Sequence, residues 1–217
     1  MEYFLAQVGI AVFAVSGVLS AVRQRLDIFS IVVVGLLTAI GGGTLRDLIL
    51  NVPVFWLEDL TGFWVAVGAS FMTFVGIRLI LKLPLRLLAY LDAIGIALFS
   101  VQAIDKTLAL GYPAAVAIVM GLITSIAGGI ARDVVTHRPT MLLSRELYAT
   151  PILLGAMLYV LLSPYPGSRP VAMAVIFTIR AAAIRWQLFL PLRLTLQVDI
   201  DDTPYRPHPG QDRPDPP

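Results

Sequence analysis

Residues 38–47 read TAIGGGTLRD and residues 124–133 read TSIAGGIARD, and these two stretches decide how the chain is organised. They lie 86 residues apart, and the register extends well beyond them. With that shift, Val8–Pro53 aligns without a gap on Ile94–Pro139. Gly9, Ile10, Ala11, Phe13 and Val15 meet Gly95, Ile96, Ala97, Phe99 and Val101. Gly35, Leu36, Thr38, Ile40, Gly42, Gly43, Arg46, Asp47 and Pro53 meet Gly121, Leu122, Thr124, Ile126, Gly128, Gly129, Arg132, Asp133 and Pro139. Chance matching among Leu/Val/Ala-rich segments does not produce a shared T-x-[IV]-x-G-G-x-x-R-D-x5-P string, so the chain carries an internal repeat.

Around these stretches the chain is apolar. Of its 217 residues 58% are hydrophobic and 14% charged, with mean hydropathy +0.83, against roughly 45–50% and ~25% for soluble domains. Seven apolar stretches, at 3–22, 28–50, 62–81, 86–104, 113–136, 147–163 and 170–190, predict spans of ~30 Å of hydrocarbon, the sixth only marginally. One aqueous core cannot bury them all, which excludes a soluble enzyme. An odd number of spans puts the termini on opposite sides. Each repeat contains three, so the second copy enters the membrane from the opposite face. The expected fold is an all-α membrane protein with seven transmembrane helices: two inverted three-helix repeats (1–84 and 85–165), a seventh helix (166–195) and a tail (196–217). Acidic Glu2 and the lack of a basic n-region make the first stretch a permanent helix rather than a signal peptide.

Links and ends on one side hold Arg23, Arg25, Arg78, Lys82, Arg86, Arg138, Arg145 and Arg193, and those on the other hold Lys106 and Arg169. This bias predicts a multi-pass protein with the N-terminus outside and the C-terminus cytoplasmic. The tail, with Pro204, Pro207, Pro209, Pro214, Pro216 and Pro217 among charged residues, is expected to be disordered. No cysteine and only two histidines leave no thiolate or histidine metal site and no thiol nucleophile. No base lies near a cluster of Ser, Asp or Glu, so the expectation is no enzyme, no metal and no cofactor. The basic residues concern topology and lipid headgroups, not nucleic acid.

Consecutive glycines cost about 1 kcal/mol each against alanine in a helix. Gly41, Gly42 and Gly43, and Gly128 and Gly129, therefore mark either a break in the second and fifth spans or close helix packing, as in Gly17–Ala21. A break is the expectation. Arg46, Asp47, Arg132 and Asp133 one turn later cost on the order of 2.5–3.5 kcal/mol each at a helix centre unless they pair or reach water. They line a pathway or form structural clamps. Neighbouring helical residues point about 100° apart, so Arg46 is expected to reach another helix or a hydrated cavity rather than Asp47. Thr38 and Thr124 either line the path or bond back to the preceding turn. Asp92 is a solvated helix-start acid or an arginine partner, and Arg180, mid-span, requires a partner or water. Arg185, Trp186 and Arg193 read as interface anchors. Carbonyls before a break favour cations, whereas the half-helix N-terminus and arginine after it favour a carboxylate, so electrostatics leaves the cargo's sign open.

The motifs FAVSG (13–17), TAIGGGTLRD (38–47) followed by PVFWLED (53–59), LDAIG (91–95), GGIARD (128–133), ELYAT (146–150) and RAAAIRW (180–186) together resemble the prokaryotic branch of the trimeric intracellular cation (TRIC) channels. The resemblance covers approximately residues 3–191 and departs at Ala127, which replaces the first glycine of the triplet. It implies a homotrimer among membrane lipids, each protomer with its own hourglass pore where the glycine-bearing second and fifth helices meet, passing potassium and sodium. It agrees with an outside N-terminus, and for a prokaryote-like chain it implies the plasma membrane, with bound lipid as an option. Some bacterial relatives are regarded as glycine transporters, so a small amino-acid transporter built on the same helices is the second reading, and a scaffold without transport a third.

Overall fold

The computed structural model describes residues 2–24, 26–77, 86–143, 146–163 and 165–188. Outside them fall Arg25, Arg78, Lys82, Arg145, Arg193, the end of the third predicted span and the tail predicted to be disordered. The chain is all-α. Its long helices are α1 (Glu2–Ala21), α2 (Ile28–Ile49), α3 (Thr61–Val75), α4 (Leu87–Ala109), α5 (Ala114–Val135), α6 (Ala149–Leu162) and α7 (Ser168–Trp186), with a single helical turn at Phe55–Glu58. The bounds of α2 and α5 differ by 86 residues at both ends.

Local chemistry sets these bounds. Asp27 caps α2, its carboxylate accepting from the Ser30 N–H at 3.0 Å and the Ser30 hydroxyl at 2.7 Å. These bonds, the N–H first, hold the Asp27 carboxyl below the usual carboxylate range. At the C-termini of α2 and α5 the same closure appears twice. Asn51 and His137 take left-handed backbone, at φ 52° and 49°. The N–H of Val52 then reaches the Asp47 carbonyl (3.0 Å) and that of Arg138 the Asp133 carbonyl (2.8 Å), with prolines 53 and 139 just beyond.

The packing is inside-out relative to a soluble protein. Phe29, Leu48, Trp64, Met72, Val75 and Leu161 are exposed, whereas Thr38, Asp47, Asp92, Thr124, Arg132 and Arg180 are buried beside Phe13, Ile96, Ile104 and Ile176. This is the distribution of a membrane protein, whose exterior meets lipid and whose charges must find partners within. Tyr3–Ala21, Ile28–Ile49, Leu87–Ala109 and Ala114–Val135 are long and apolar enough to cross a membrane. The described part of α3 and all of α6 are shorter, with 15 and 14 residues, or about 21–23 Å at 1.5 Å per residue. Conversely, α4 runs past the expected end at 104 to Ala109, so Asp105 and Lys106 lie in a helix and not in a link. Helices α1 with α2 and α4 with α5 pair within each half, α2 packs on α5 and α1 on α4 between halves, and α7 lies on α4 and α6.

The contact between halves is antiparallel. A methyl group at Gly42 would run into the Thr124 carbonyl, and one at Gly128 into the Thr38 carbonyl. These reciprocal pairs exist only if α2 and α5 cross in opposite directions. Phe13 and Phe99 stack across the same axis, ring centroids 5.2 Å apart and 7° from parallel. The expected helix break is therefore corrected. Both glycine strings are helical throughout, and Gly42 and Gly128 lack side chains where the two backbones meet. Gly41 stands apart, a methyl there finding only Leu37 Cδ1 at 3.8 Å.

Gly42→Ala and Gly128→Ala are thus expected to force α2 and α5 apart, with an overpacking cost of about 1–3 kcal/mol each. Gly41→Ala is expected to be neutral or slightly stabilising. Thermal unfolding of the purified variants in detergent measures the difference. Equal behaviour of Gly41→Ala and Gly42→Ala contradicts the crossing geometry.

Candidate functional site

In each half the second helix ends in an arginine–aspartate centre held by the closure described above. In the first, Arg46 Nε donates to Asp47 Oδ1 at 2.8 Å, and the same oxygen accepts from Lys106 Nζ at 2.7 Å. Asp47 Oδ2 accepts the Phe55 N–H at 2.9 Å, and the Arg46 guanidinium lies 5.9 Å from the Phe55 ring centre. In the second, Arg132 Nε donates to Asp133 Oδ1 at 2.9 Å and Asp133 Oδ2 accepts the Met141 N–H at 3.1 Å. Residues 55 and 141 also differ by 86. Each aspartate ties its own helix end to the following link, and each arginine closes onto its neighbour, contrary to the expectation from helical spacing. The flexible stem brings Nε back to the adjacent carboxylate, leaving the outer nitrogens free to reach farther.

Beyond this shared core the centres differ. Arg132 Nη1 donates to Asp92 Oδ1 (3.0 Å) and Ser16 Oγ (3.1 Å), and Asp92 Oδ2 accepts the Tyr148 hydroxyl at 2.9 Å. Both Arg132 and Asp92 are 0% exposed. Asp92 is therefore the arginine partner, and the solvated alternative is excluded by its burial. Arg180, 1% exposed, donates through Nη1 to the Leu147 carbonyl (2.9 Å) and Glu146 Oε2 (3.3 Å), with its guanidinium 4.9 Å from the Tyr148 ring centre. One end of the bundle thus has two cations, Arg46 and Lys106, around Asp47. The other has two carboxylates, Asp92 and Asp133, around Arg132.

At the Arg46 end a cavity of about 560 Å³ opens between α1, α2, α3, α4 and α7. Arg46, Gly43, Lys106, Asp59, Asp105 and Arg169 line it with Tyr3, Gln7, Phe55 and Phe99, and α5 contributes nothing to its lining. Asp59, in the link after α2, accepts from the Thr61 hydroxyl (2.6 Å) and N–H and from the Tyr3 hydroxyl, bonds that keep its carboxyl below the usual carboxylate range. Asp105 pairs with Arg169 at 2.7 Å and accepts the Tyr159 hydroxyl.

Of the residues singled out in the sequence, Gly42 and Gly128 meet Thr124 and Thr38 at the α2–α5 crossing, Gly43 faces Phe55, Gly129 faces Asp92 and Tyr148, Gly41 stands apart, and the two arginines stand at opposite ends. Thr38 Oγ1 bonds back to the Val34 carbonyl at 2.7 Å, whereas Thr124 Oγ1 finds no partner among the described residues. Arg185 and Trp186 are exposed, and Arg193 lies outside the described residues. Lys106 and Tyr148 were not anticipated as members of the centres. Lys106 reads as a link charge until α4 is seen to continue, and nothing in the ELYAT string marks Tyr148 as a hydrogen-bond donor.

Comparison with known proteins places this geometry. A family model described as glycine transporter matches residues 3–78 and again residues 89–164, two matches offset by 86 residues. The inner membrane protein YadS of Escherichia coli K12 is 42% identical over 197 residues, covering 88% of this chain and 95% of that protein. A membrane protein of Vibrio cholerae is 41% identical over 194 residues, 87% of this chain and 81% of that one. The TRIC trimeric intracellular cation channel orthologue from Rhodobacter sphaeroides superposes with a TM-score of 0.79 at 35% identity, covering 86% of this chain and 98% of that chain. The chain is a member of the TRIC family. A second prokaryotic TRIC channel, crystallised in 0.5 M KCl, gives the same TM-score at 28% identity, covering 87% of this chain and 98% of that chain. This TRIC protein is a membrane protein and not an enzyme.

Removing the carboxylate from the sealed centre by Asp92→Asn leaves Arg132 short of a counter-charge and is expected to destabilise the fold by about 3–5 kcal/mol. Tyr148→Phe, which deletes one hydrogen bond, is expected to cost about 1 kcal/mol. Lys106→Met, at the half-exposed pair, is expected to cost less than Asp92→Asn. Unfolding midpoints of the three variants test this order.

Proposed function

We propose that this chain is a monovalent cation channel, passing potassium and sodium through one pore per protomer of a homotrimer in the cell's inner membrane. The observation that carries the proposal is its likeness, over nearly the whole length of that chain, to the cation channel orthologue from Rhodobacter sphaeroides. In this reading the pathway follows the α2–α5 interface from the Arg46 centre and Gly43, past the level of Gly42 and Thr124, then that of Thr38 and Gly128, and past Gly129 to the Arg132 centre. Asp47 and Asp133 offset the arginines, so that a passing cation meets less net positive charge within a Debye length of about 8 Å. Conduction requires the α2–α5 crossing to loosen, because carbonyls and glycines fill that level here. The charge bias of the links supports an outside N-terminus and a cytoplasmic C-terminus. The pore needs no resident cofactor, and lipid fills the apolar exterior.

A second reading is a glycine transporter, favoured by the description of the matching family model. Purified protein in a planar bilayer under asymmetric KCl, run beside radiolabelled glycine uptake into liposomes, separates the two. A channel gives unitary currents that reverse towards the potassium equilibrium potential. Saturable uptake without such currents favours the transporter. Arg46→Gln, at the cavity, is expected to change unitary conductance or open probability in folded protein, whereas Arg132→Gln is expected chiefly to lower the yield of folded protein. Normal conductance in folded Arg46→Gln removes Arg46 from the pathway.

Cysteines introduced at 24 and 211 are expected to be protected from an impermeant thiol reagent in intact cells. Labelling of either from outside reverses the orientation. Light scattering of the detergent-solubilised chain is expected to give a trimer.

A further inference from the structure

The 86-residue register gives each residue near one arginine a counterpart near the other, and at three positions the counterparts differ in kind. Asp92, Tyr148 and Ser16 surround Arg132, and the matching positions near Arg46 are Ala6, Gly62 and Gln102. A carboxylate has become a methyl group, and a phenol a hydrogen atom. In the Arg132 centre the Asp92 carboxylate and Tyr148 hydroxyl lie over Gly129, 3.1 and 3.3 Å from where its Cβ would be. Over the matching Gly43 lies the edge of the Phe55 ring, 2.7 Å from the corresponding point. Phe55 fills part of the vacated space. The remainder is the cavity, whose lining includes Ala6, Gly62, Gln102 and Arg46 together.

At Arg46 itself the pairing is incomplete in the same sense, although the Asp59 carboxylate and the Asp105–Arg169 pair also line the cavity. Arg46 and Lys106 share the single carboxylate of Asp47, and Arg46 engages it only through Nε. Its two outer nitrogens have no acceptor among the described residues, whereas at Arg132 one of them holds Asp92. Two amides in the lining are likewise unsatisfied, Gln102 at Nε2 and Gln7 at Oε1. Ile10, Phe55, Phe99 and Met173 supply apolar walls, which lower the local dielectric and strengthen any ion pair formed there. The volume is that of a small-molecule site.

We propose that this cavity binds a small carboxylate, which takes beside Arg46 the place that the Asp92 carboxylate takes beside Arg132. The second half thus contains, covalently built in, the group that the first half receives from solution. A guanidinium with two free outer nitrogens matches a carboxylate's two oxygens, and Lys106 adds a second positive charge nearby. The proposal goes beyond the cation-channel reading and holds whether the protein conducts or carries, because it concerns occupancy and not flux.

The test is binding to the purified full-length protein, with acetate and glycine as probes at matched chloride concentration, read by calorimetry and by thermal stabilisation. Wild type is expected to bind at least one probe saturably, and glycinamide, which lacks the carboxylate, is expected not to compete. Arg46→Gln is expected to weaken binding at least tenfold. Ala6→Asp places a resident carboxylate where the second half has its own, and is expected to abolish binding while raising the unfolding midpoint of the empty protein. That variant decides the matter even if Arg46→Gln does not fold. Absence of saturable binding by both probes, or undiminished binding in Ala6→Asp, overturns the proposal. Loss of channel activity in bilayers leaves these outcomes untouched, so the two readings fail separately.

Discussion

Two helix backbones touch near the middle of this protein, Gly42 against the Thr124 carbonyl and Gly128 against the Thr38 carbonyl, and the rest of the architecture is arranged around that contact. Lipid offers no hydrophobic drive for helices to associate, so close van der Waals approach has to supply the cohesion. Glycine is the residue that lets carbonyl and Cα meet. Because the two contacts are reciprocal, they fix the antiparallel direction of the crossing, and with it the opposite placement of everything at the helix ends. The stacked Phe13 and Phe99 rings mark the same axis one layer away.

Charge burial follows from that placement. The C-terminal turns of α2 and α5 carry Arg46–Asp47 and Arg132–Asp133 into the interior at opposite ends, where the energetic penalty is bearable only because every carboxylate has several donors. Asp47 takes bonds from a guanidinium, an ammonium and a backbone amide, and Asp133 from a guanidinium and a backbone amide. The backbone amides come from the links after each helix. The left-handed closures at Asn51 and His137 therefore help to set the charge geometry as well as to end a helix.

How much of this was legible in the sequence depended on whether the signal was periodic or local. The spans are long uninterrupted apolar runs, and the repeat is a register of identical residues, so the all-α membrane fold and the antiparallel halves were readable. The glycines do not break their helices, and the sequence could not tell, because a string such as TAIGGGTLRD has the same composition whether its backbone unwinds or is covered by another backbone. Only the partner helix decides. Helical angle alone separates Arg46 from Asp47, but the length of the arginine stem, which no spacing rule carries, brings them together. Asp92 was ambiguous because a carboxylate at a helix start looks alike in water and in a core. Lys106 was hidden by a span boundary set five residues short, for lysine and aspartate in the last turns of α4 lower the local hydropathy without ending the helix.

The difference between the two arginine centres has a further meaning for the chain as a single polypeptide. Two identical three-helix units, made separately and paired about a two-fold axis, would reproduce this antiparallel crossing, including the reciprocal glycine contacts. They would also be bound to identical ends, since an aspartate in the first helix of one copy would appear in the first helix of the other. Joining the halves in one chain removes that obligation. Position 6 is free to be alanine while position 92 is aspartate, and 62 to be glycine while 148 is tyrosine. Fusion is what allows a molecule built on a two-fold axis to present different chemistry to the two compartments it separates.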